Sequence, residues 1–149
     1  MKRKTYWLLV AFLVGLVVLL SWSAFYPAIP NTPTAKRGFQ EMTGFDPSGV
    51  SGIYYFQLGA GIRGGDAEYL RFIYPDEHWL QRFLDRLALV RLTNSGGGLY
   101  TDSIPTWWDY STIWSLAECY GRSSEHRPNH TVLWLDRERQ YIYLYEGML

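Results

Sequence analysis

The chain has 149 residues, no net formal charge and a single cysteine, Cys119, which excludes an internal disulfide. All 14 acidic residues lie beyond Pro30, whereas only 11 of the 14 basic residues do, so this part of the chain is near −3. Such a balance lacks the basic patch of a nucleic-acid-binding protein, and we expect no nucleic-acid partner.

The chain begins with three cations, Lys2 to Lys4, followed by an uncharged and mostly apolar run over residues 6–22. This run has the length of a short membrane-spanning helix or of a long signal-peptide core. We predict a signal-anchor at residues 1–26 that crosses the lipid bilayer of the cell (inner) membrane as a single-pass transmembrane helix. The positive-inside rule then places the amino terminus in the cytoplasm and the rest of the chain outside it. The alternative is secretion after cleavage near Ser23.

The segment that follows the apolar run predicts a spacer. Residues 27–46 contain three prolines and few aliphatic side chains, which favours an extended stalk. The remaining residues, 47–149, are enough for one domain outside the cytoplasm. Because that domain has no internal disulfide, its core must hold it together.

Two strands open this domain. Branched and aromatic residues dominate Val50–Leu58, and apolar and polar faces alternate over Glu68–Tyr74, which predicts an antiparallel hairpin. The connection between them, Gly59–Gly64, fits the dinucleotide-binding spacing G-x-G-x-x-G. That motif must open a helix, whereas a strand is predicted next, so a hairpin loop is the simpler interpretation.

An amphipathic helix is the clearest single element. Pro75, Asp76 and Glu77 suit a first helical turn. Five large apolar residues then recur at helical spacing and predict one buried stripe that faces Leu70, Phe72 and the last hairpin; they are Trp79, Leu80, Phe83, Leu84 and Leu87.

The remaining elements complete an α+β domain. Ile113–Tyr120 is compatible with a strand or a helix, and we favour a strand. Thr131–Leu135 and Gln140–Tyr145 predict a second hairpin, with its tyrosines on one face and Ile142 and Leu144 on the other. The predicted fold is one amphipathic helix packed on a small antiparallel sheet, in the order β-β-α-(β)-β-β, preceded by a transmembrane helix.

Aromatic residues supply the candidate binding site. Twenty of them lie beyond Pro30, and Trp107, Trp108, Asp109 and Tyr110 are consecutive. Neighbouring residues of an extended chain point in opposite directions, so we expect one of the two tryptophans to be exposed and able to stack on a sugar or a protein partner. The alternative is that one ring caps the edge of the sheet and the other covers the helix.

No catalytic set follows from the sequence. Cys119 with His126 or His130 is the best combination for nucleophilic catalysis, and the two histidines with Glu125 are the best combination for zinc. Pro128 makes a helix between the histidines improbable, and solvated loop histidines are the simpler interpretation. We therefore predict no catalytic residue, no metal site and no cofactor.

Several short aromatic motifs lie along the predicted domain: Tyr54-Tyr55, Tyr69–Phe72, Trp79–Leu87, Pro105–Asp109, Leu133–Asp136 and Tyr141–Tyr145. Together these motifs resemble those of small, uncharacterised bacterial membrane-anchored or exported proteins. The resemblance covers roughly the last hundred residues. It implies an aromatic-rich α+β protein of the cell envelope and carries no activity or site.

Three hypotheses about function remain open. The leading one is a non-enzymatic interaction module that binds another envelope protein or a cell-wall glycan. The second is a small extracytoplasmic hydrolase or metal-dependent enzyme that uses Cys119 or His126 and His130. The third is an immunity or inhibitor protein that guards the membrane.

Overall fold

A computed structural model of the chain describes residues 7, 10–18, 28–59, 67–93, 104–116, 118–123 and 129–148. Within these residues the fold is α+β, as predicted. Besides a helical stretch at residues 10–18, the described residues form six strands and three α-helices, with a 3-10 turn at Pro47–Gly49. The helices are α1 (Pro33–Thr43), α2 (Glu77–Leu87) and α3 (Tyr110–Ser115); the strands are β1 (Ser51–Leu58), β2 (Ala67–Ile73), β3 (Val90–Arg91), β4 (Glu118–Ser123), β5 (Asn129–Asp136) and β6 (Tyr141–Met148).

The six strands form one antiparallel sheet in the spatial order β1-β2-β6-β5-β4-β3. Both predicted hairpins, β1–β2 and β5–β6, are confirmed. The predicted order of elements is incomplete, because α1, β3 and α3 are additional. The stretch predicted as the strand Ile113–Tyr120 divides into the end of α3 and the start of β4. Asp109 caps the first turn of α3, which favours a helix at that position.

The predicted buried stripe of α2 is confirmed. Asp76 begins the helix, because its carboxylate accepts a hydrogen bond from the Trp79 backbone N–H at 2.7 Å. Four of the five stripe residues are buried and Leu87 is half-buried. They pack on one face of the sheet in what we call the helix-side core, which contains Leu70, Phe72, Leu133, Leu135, Ile142 and Leu144.

The predicted extended stalk over residues 27–46 is wrong for Pro33–Thr43, which forms α1. Thr32 caps this helix by accepting a hydrogen bond from the Ala35 backbone N–H at 3.1 Å, and Pro33 occupies the first helical position. A proline there loses no hydrogen bond, since the first N–H groups of a helix have no partner within it. Ala35 and Phe39 of α1 are buried in the helix-side core.

The opposite face of the sheet is covered by residues 104–116. Trp107, Trp108 and Ile113 pack there against Tyr69, Trp134, Tyr143 and Tyr145, and we call this group the aromatic-side core. The prediction that the β6 tyrosines share one face, with Ile142 and Leu144 on the other, is confirmed. Both faces of the sheet are therefore covered by other elements, which explains why apolar residues occupy both faces of its central strands.

The described part of the amino-terminal apolar run is helical over residues 10–18. Its large apolar side chains are exposed, with Phe12 at 70% and Val17 at 61% of full exposure. A helix with the length and apolar character of a membrane span is not present among the described residues, so the predicted transmembrane helix over 6–22 is not found there.

Candidate functional site

The two consecutive tryptophans are both buried, so the expectation of one exposed ring is wrong. Trp107 retains 7% and Trp108 retains 3% of its full exposure. The reason is local geometry, because residues 105–108 form a turn that is closed by a hydrogen bond from the Trp108 N–H to the Pro105 carbonyl at 2.9 Å. Neighbouring side chains point in opposite directions only where the chain is extended. In this turn, both rings pack into the aromatic-side core.

Asp109 is exposed, and its contacts are those of a helix cap. Its carboxylate accepts hydrogen bonds from the Thr112 hydroxyl at 2.5 Å, the Thr112 N–H at 3.1 Å and the Ser111 hydroxyl at 2.8 Å. These bonds lower the pKa of Asp109 to about 2. Tyr110 begins α3, and its side chain lies outside the described part of the chain.

The structure gives the catalytic candidates little support. Cys119 is buried in the aromatic-side core, and this burial raises the pKa of its thiol to about 11. The nucleophilic thiolate is therefore scarce at neutral pH. His130 lies half-buried in β5, whereas His126 and residues 60–64 of the glycine-rich loop lie outside the described residues. Within the described ranges, no group of three or more His, Cys, Asp and Glu side chains is arranged to hold a metal ion.

Arg71 is the unusual polar residue of the aromatic-side core. It lies opposite Tyr54 in the β1–β2 pair and opposite Tyr143 in the β2–β6 pair. The same register continues from Tyr143 to Trp134 and from Trp134 to Cys119. A row of five side chains thus crosses the sheet, and its only charged member is the half-buried Arg71.

Three aromatic rings surround the Arg71 guanidinium. Its central carbon lies 4.3 Å from the ring centre of Tyr54, 5.1 Å from that of Tyr141 and 5.9 Å from that of Trp107. The guanidinium also donates a hydrogen bond from Nη1 to the Trp107 carbonyl at 2.7 Å. Cation–π contacts of this kind contribute about 0.5–2 kcal/mol each, depending on exposure. They fix the position of the positive charge without neutralising it. We call Arg71, Tyr54, Trp107, Tyr141 and Tyr143 the Arg71 cluster.

Several hydrogen-bond donors in and beside the Arg71 cluster have no acceptor among the described residues. Among the residues that the structure describes, no carboxylate forms an ion pair with Arg71. Its Nε is shielded from solvent and has no hydrogen-bond partner in the described part of the chain, and the same is true of the Nε1 atoms of Trp107, Trp108 and Trp134. A half-buried cation without a counter-ion is costly, because desolvation is not repaid by an opposite charge. The arrangement suits a ligand that brings a negative charge and acceptor oxygens.

The two tyrosines beside the guanidinium keep their hydroxyl groups available. Tyr54 and Tyr141 are half-buried, and their hydroxyl groups form no hydrogen bond with other described residues. Tyr143 is buried, and this burial raises its pKa. Arg71 opposes that rise through its charge and through a side-chain hydrogen bond, whereas the carboxylates of Asp136 and Asp109 add to it.

Sequence patterns alone did not identify this cluster. The alternation of Glu68–Tyr74 correctly places Arg71 on the face opposite Leu70 and Phe72. The sequence contains one signal for this cluster: the charged Arg71 shares a strand face with the apolar side chains of Tyr69 and Ile73. The partners of Arg71 come from three other parts of the chain, and only the strand register and the turn at 105–108 bring them together.

No family profile, curated protein or solved structure shows a significant match to this chain.

Proposed function

We propose that the protein is a membrane-tethered, non-enzymatic interaction module whose α+β domain faces away from the cytoplasm and binds a component of the cell envelope. The observation that carries this proposal is the Arg71 cluster. It holds a positive charge in a fixed place, and no described carboxylate pairs with it. A preorganised charge of this kind favours binding, since little ordering is needed when the ligand arrives.

The amino-terminal helix supports the tether. Residues 10–18 are helical, uncharged and apolar, and their large side chains are exposed. A helix that is apolar on every side is stable in lipid or in a protein core, and its exposure to water is unfavourable. The three preceding cations favour a cytoplasmic amino terminus.

The environment of Cys119 supports a non-enzymatic role. The thiol is buried among aromatic rings and its pKa is raised to about 11, so it lacks the activated state that a nucleophile needs. We assign Cys119 to packing, which is the common role of a buried free cysteine.

Vesicle flotation tests the tether. The full chain is mixed with lipid vesicles and centrifuged through a density gradient, beside a variant that carries Val14→Asp and Val17→Asp. We expect the unmodified chain to float and the variant to remain at the bottom, because a carboxylate in the bilayer costs about 2.5–3.5 kcal/mol. Val90→Asp is the matched control, since Val90 of β3 is 67% exposed. Flotation of the double variant, or no flotation of the unmodified chain, would contradict the tether.

Retention on isolated cell envelopes from which the lipid has been removed tests the binding role. We expect saturable binding of the full chain, and the same binding for Cys119→Ala, which removes the thiol. Retention no greater than that of an unrelated protein of equal charge would refute the interaction module. A loss of binding in Cys119→Ala, with an unchanged fold, would return the enzyme hypothesis to first place.

A further inference from the structure

We infer that the Arg71 cluster binds the carboxylate of a sugar acid. This inference rests on the proposed binding role and names the ligand class of that site. It combines three observations, which are a guanidinium without a described counter-ion, its half-buried rather than fully buried position, and two half-buried tyrosines beside it whose hydroxyl groups have no described partners.

The guanidinium of Arg71 is the reason why we expect the ligand to carry a carboxylate. A guanidinium carries five N–H donors in a planar fork, and its geometry matches the two oxygens of a carboxylate. In the Arg71 cluster one Nη1 donor is engaged by the Trp107 carbonyl, a side-chain hydrogen bond links Arg71 to Tyr143, and aromatic rings flank the charge. A carboxylate therefore supplies the missing negative charge, while the rings hold the cation in place.

The charge of the surroundings favours a monoanion. The carboxylates of Asp136 and Asp109 act on Tyr143, the neighbour of Arg71 in β6, and the nearby Arg139 offsets only one of these two charges, so net negative charge is close to the site. A phosphate group with nearly two negative charges is repelled more strongly by these residues than a carboxylate with one. A single arginine is sufficient counter-charge for a carboxylate.

The two tyrosines are the reason why we expect the carboxylate to belong to a sugar. The rings of Tyr54 and Tyr141 flank the guanidinium from β1 and β6, and the hydroxyl group of each tyrosine can both donate and accept a hydrogen bond. A sugar acid presents a carboxylate and several hydroxyl groups on one compact ring. It therefore uses both parts of the Arg71 cluster at once, whereas a simple carboxylate uses only the arginine.

Isothermal titration of the full chain with glucuronate is the direct test. The protein is kept in a detergent that has no sugar headgroup, and glucose, N-acetylglutamate and inorganic phosphate are titrated in parallel. We expect glucuronate to bind at least about tenfold more tightly than each of the other three, because only glucuronate offers one carboxylate and a ring of hydroxyl groups.

Substitutions assign the binding to the cluster. Arg71→Met removes the charge, and we expect it to weaken glucuronate binding at least about tenfold. Arg82→Met is the matched control, since Arg82 is exposed on α2 and lies on the other side of the sheet. Arg71 also holds the turn at 105–108, so its variant is paired with the double variant Tyr54→Phe and Tyr141→Phe. This pair keeps the rings and removes only the hydroxyl groups, and it is expected to weaken binding while leaving the thermal midpoint nearly unchanged.

Each alternative outcome overturns a defined part of the inference. Equal binding of N-acetylglutamate rejects the sugar, and equal or stronger binding of phosphate rejects the carboxylate. Equal binding of glucose, unchanged glucuronate affinity in the double tyrosine variant, or no binding of any probe rejects the site. Retention on envelopes that survives Arg71→Met leaves the proposed function standing and refutes only this inference.

Discussion

Gly38 of α1 lies against the ring of Tyr55 in β1, so closely that a β-carbon on Gly38 would stand 2.5 Å from the ring carbons. The helix can therefore approach the first strand only because residue 38 has no side chain. This contact joins α1, which follows the amino-terminal apolar run, to the edge of the sheet domain. The Tyr55 hydroxyl is itself held, since it donates a hydrogen bond to Glu68 at 2.9 Å.

We expect Gly38→Ala to destabilise the protein by about 1–3 kcal/mol, the usual cost of forcing extra atoms into a packed site. Replacing a glycine inside a helix by alanine normally stabilises the protein. A loss of stability in Gly38→Ala would therefore indicate the close contact with Tyr55. Gly49→Ala is the control, because the nearest atom to a β-carbon there is 3.8 Å away. Urea unfolding followed by tryptophan fluorescence measures both, and a more stable Gly38→Ala protein would contradict the close contact.

We expect Trp108→Ala to cost about 3–5 kcal/mol of stability, as full removal of a buried ring does. Trp108 packs edge-to-face on Trp107, Trp134 and Tyr143, so its loss opens a cavity at the centre of the aromatic-side core. Trp114 on α3 is 45% exposed, and Trp114→Ala should cost much less. Equal losses for the two variants in denaturant would place Trp108 outside the core.

Asp109 predicts a defined acid response. Hydrogen bonds from Thr112 and Ser111 lower its pKa from the usual 3.8 to about 2. A carboxyl group whose pKa is lower in the folded state stabilises the fold above the unfolded pKa, and this contribution is lost as the pH falls through the folded pKa. The unmodified protein should therefore lose slightly more stability than Asp109→Asn between pH 4 and pH 2.

Asparagine keeps the cap and removes the charge, so the difference between the two proteins isolates the titration of residue 109. Because Asp109 is exposed, we expect a difference below about 1 kcal/mol. Thermal melts at a series of pH values measure it. Parallel stability curves for the two proteins over this range would show that the cap does not depend on the charge.

The burial of Cys119 predicts that the native protein reacts slowly with thiol reagents. Burial raises its pKa to about 11, so the native protein at pH 8 presents little thiolate and little access. We expect labelling by a maleimide to proceed only as fast as the domain unfolds, and to be complete within the mixing time in concentrated urea. Rapid labelling of the native protein would mean that Cys119 is accessible and activated, which would favour the hydrolase hypothesis.

The strands and α2 were predictable because each has a periodicity that local sequence reports. Alternation in Glu68–Tyr74 and in β6 assigned side chains to the correct faces, and the helical spacing after Asp76 identified the buried stripe of α2. The missed helix α1 has a different cause. Prolines before and at its first turn suggested an extended chain, although Pro33 at the first helical position is compatible with a helix.

The candidate site was less predictable because it depends on contacts between distant parts of the chain. The burial of both Trp107 and Trp108 follows from a turn, and single-sequence alternation does not report that turn. Arg71 meets Trp107 across 36 residues of sequence. Its neighbours Tyr54 and Tyr141 are set by the register of two separate strand pairs. Local sequence patterns can assign the residues of the Arg71 cluster to strand faces, but they do not report which of these residues lie close together in the fold.

The place of β6 in the sheet sets an order for folding. β6 lies between β2 and β5, so the pair β1–β2 and the group β5–β4–β3 are joined through residues 141–148. During synthesis these two groups cannot pair until β6 has left the ribosome. Until then the aromatic side chains of β2 and β5 lack their packing partners on β6. Pairing between segments so far apart is slow, because the entropy of closing a long loop is lost before the contacts form. The sheet therefore stays divided into these two groups until residues 141–148 have been translated.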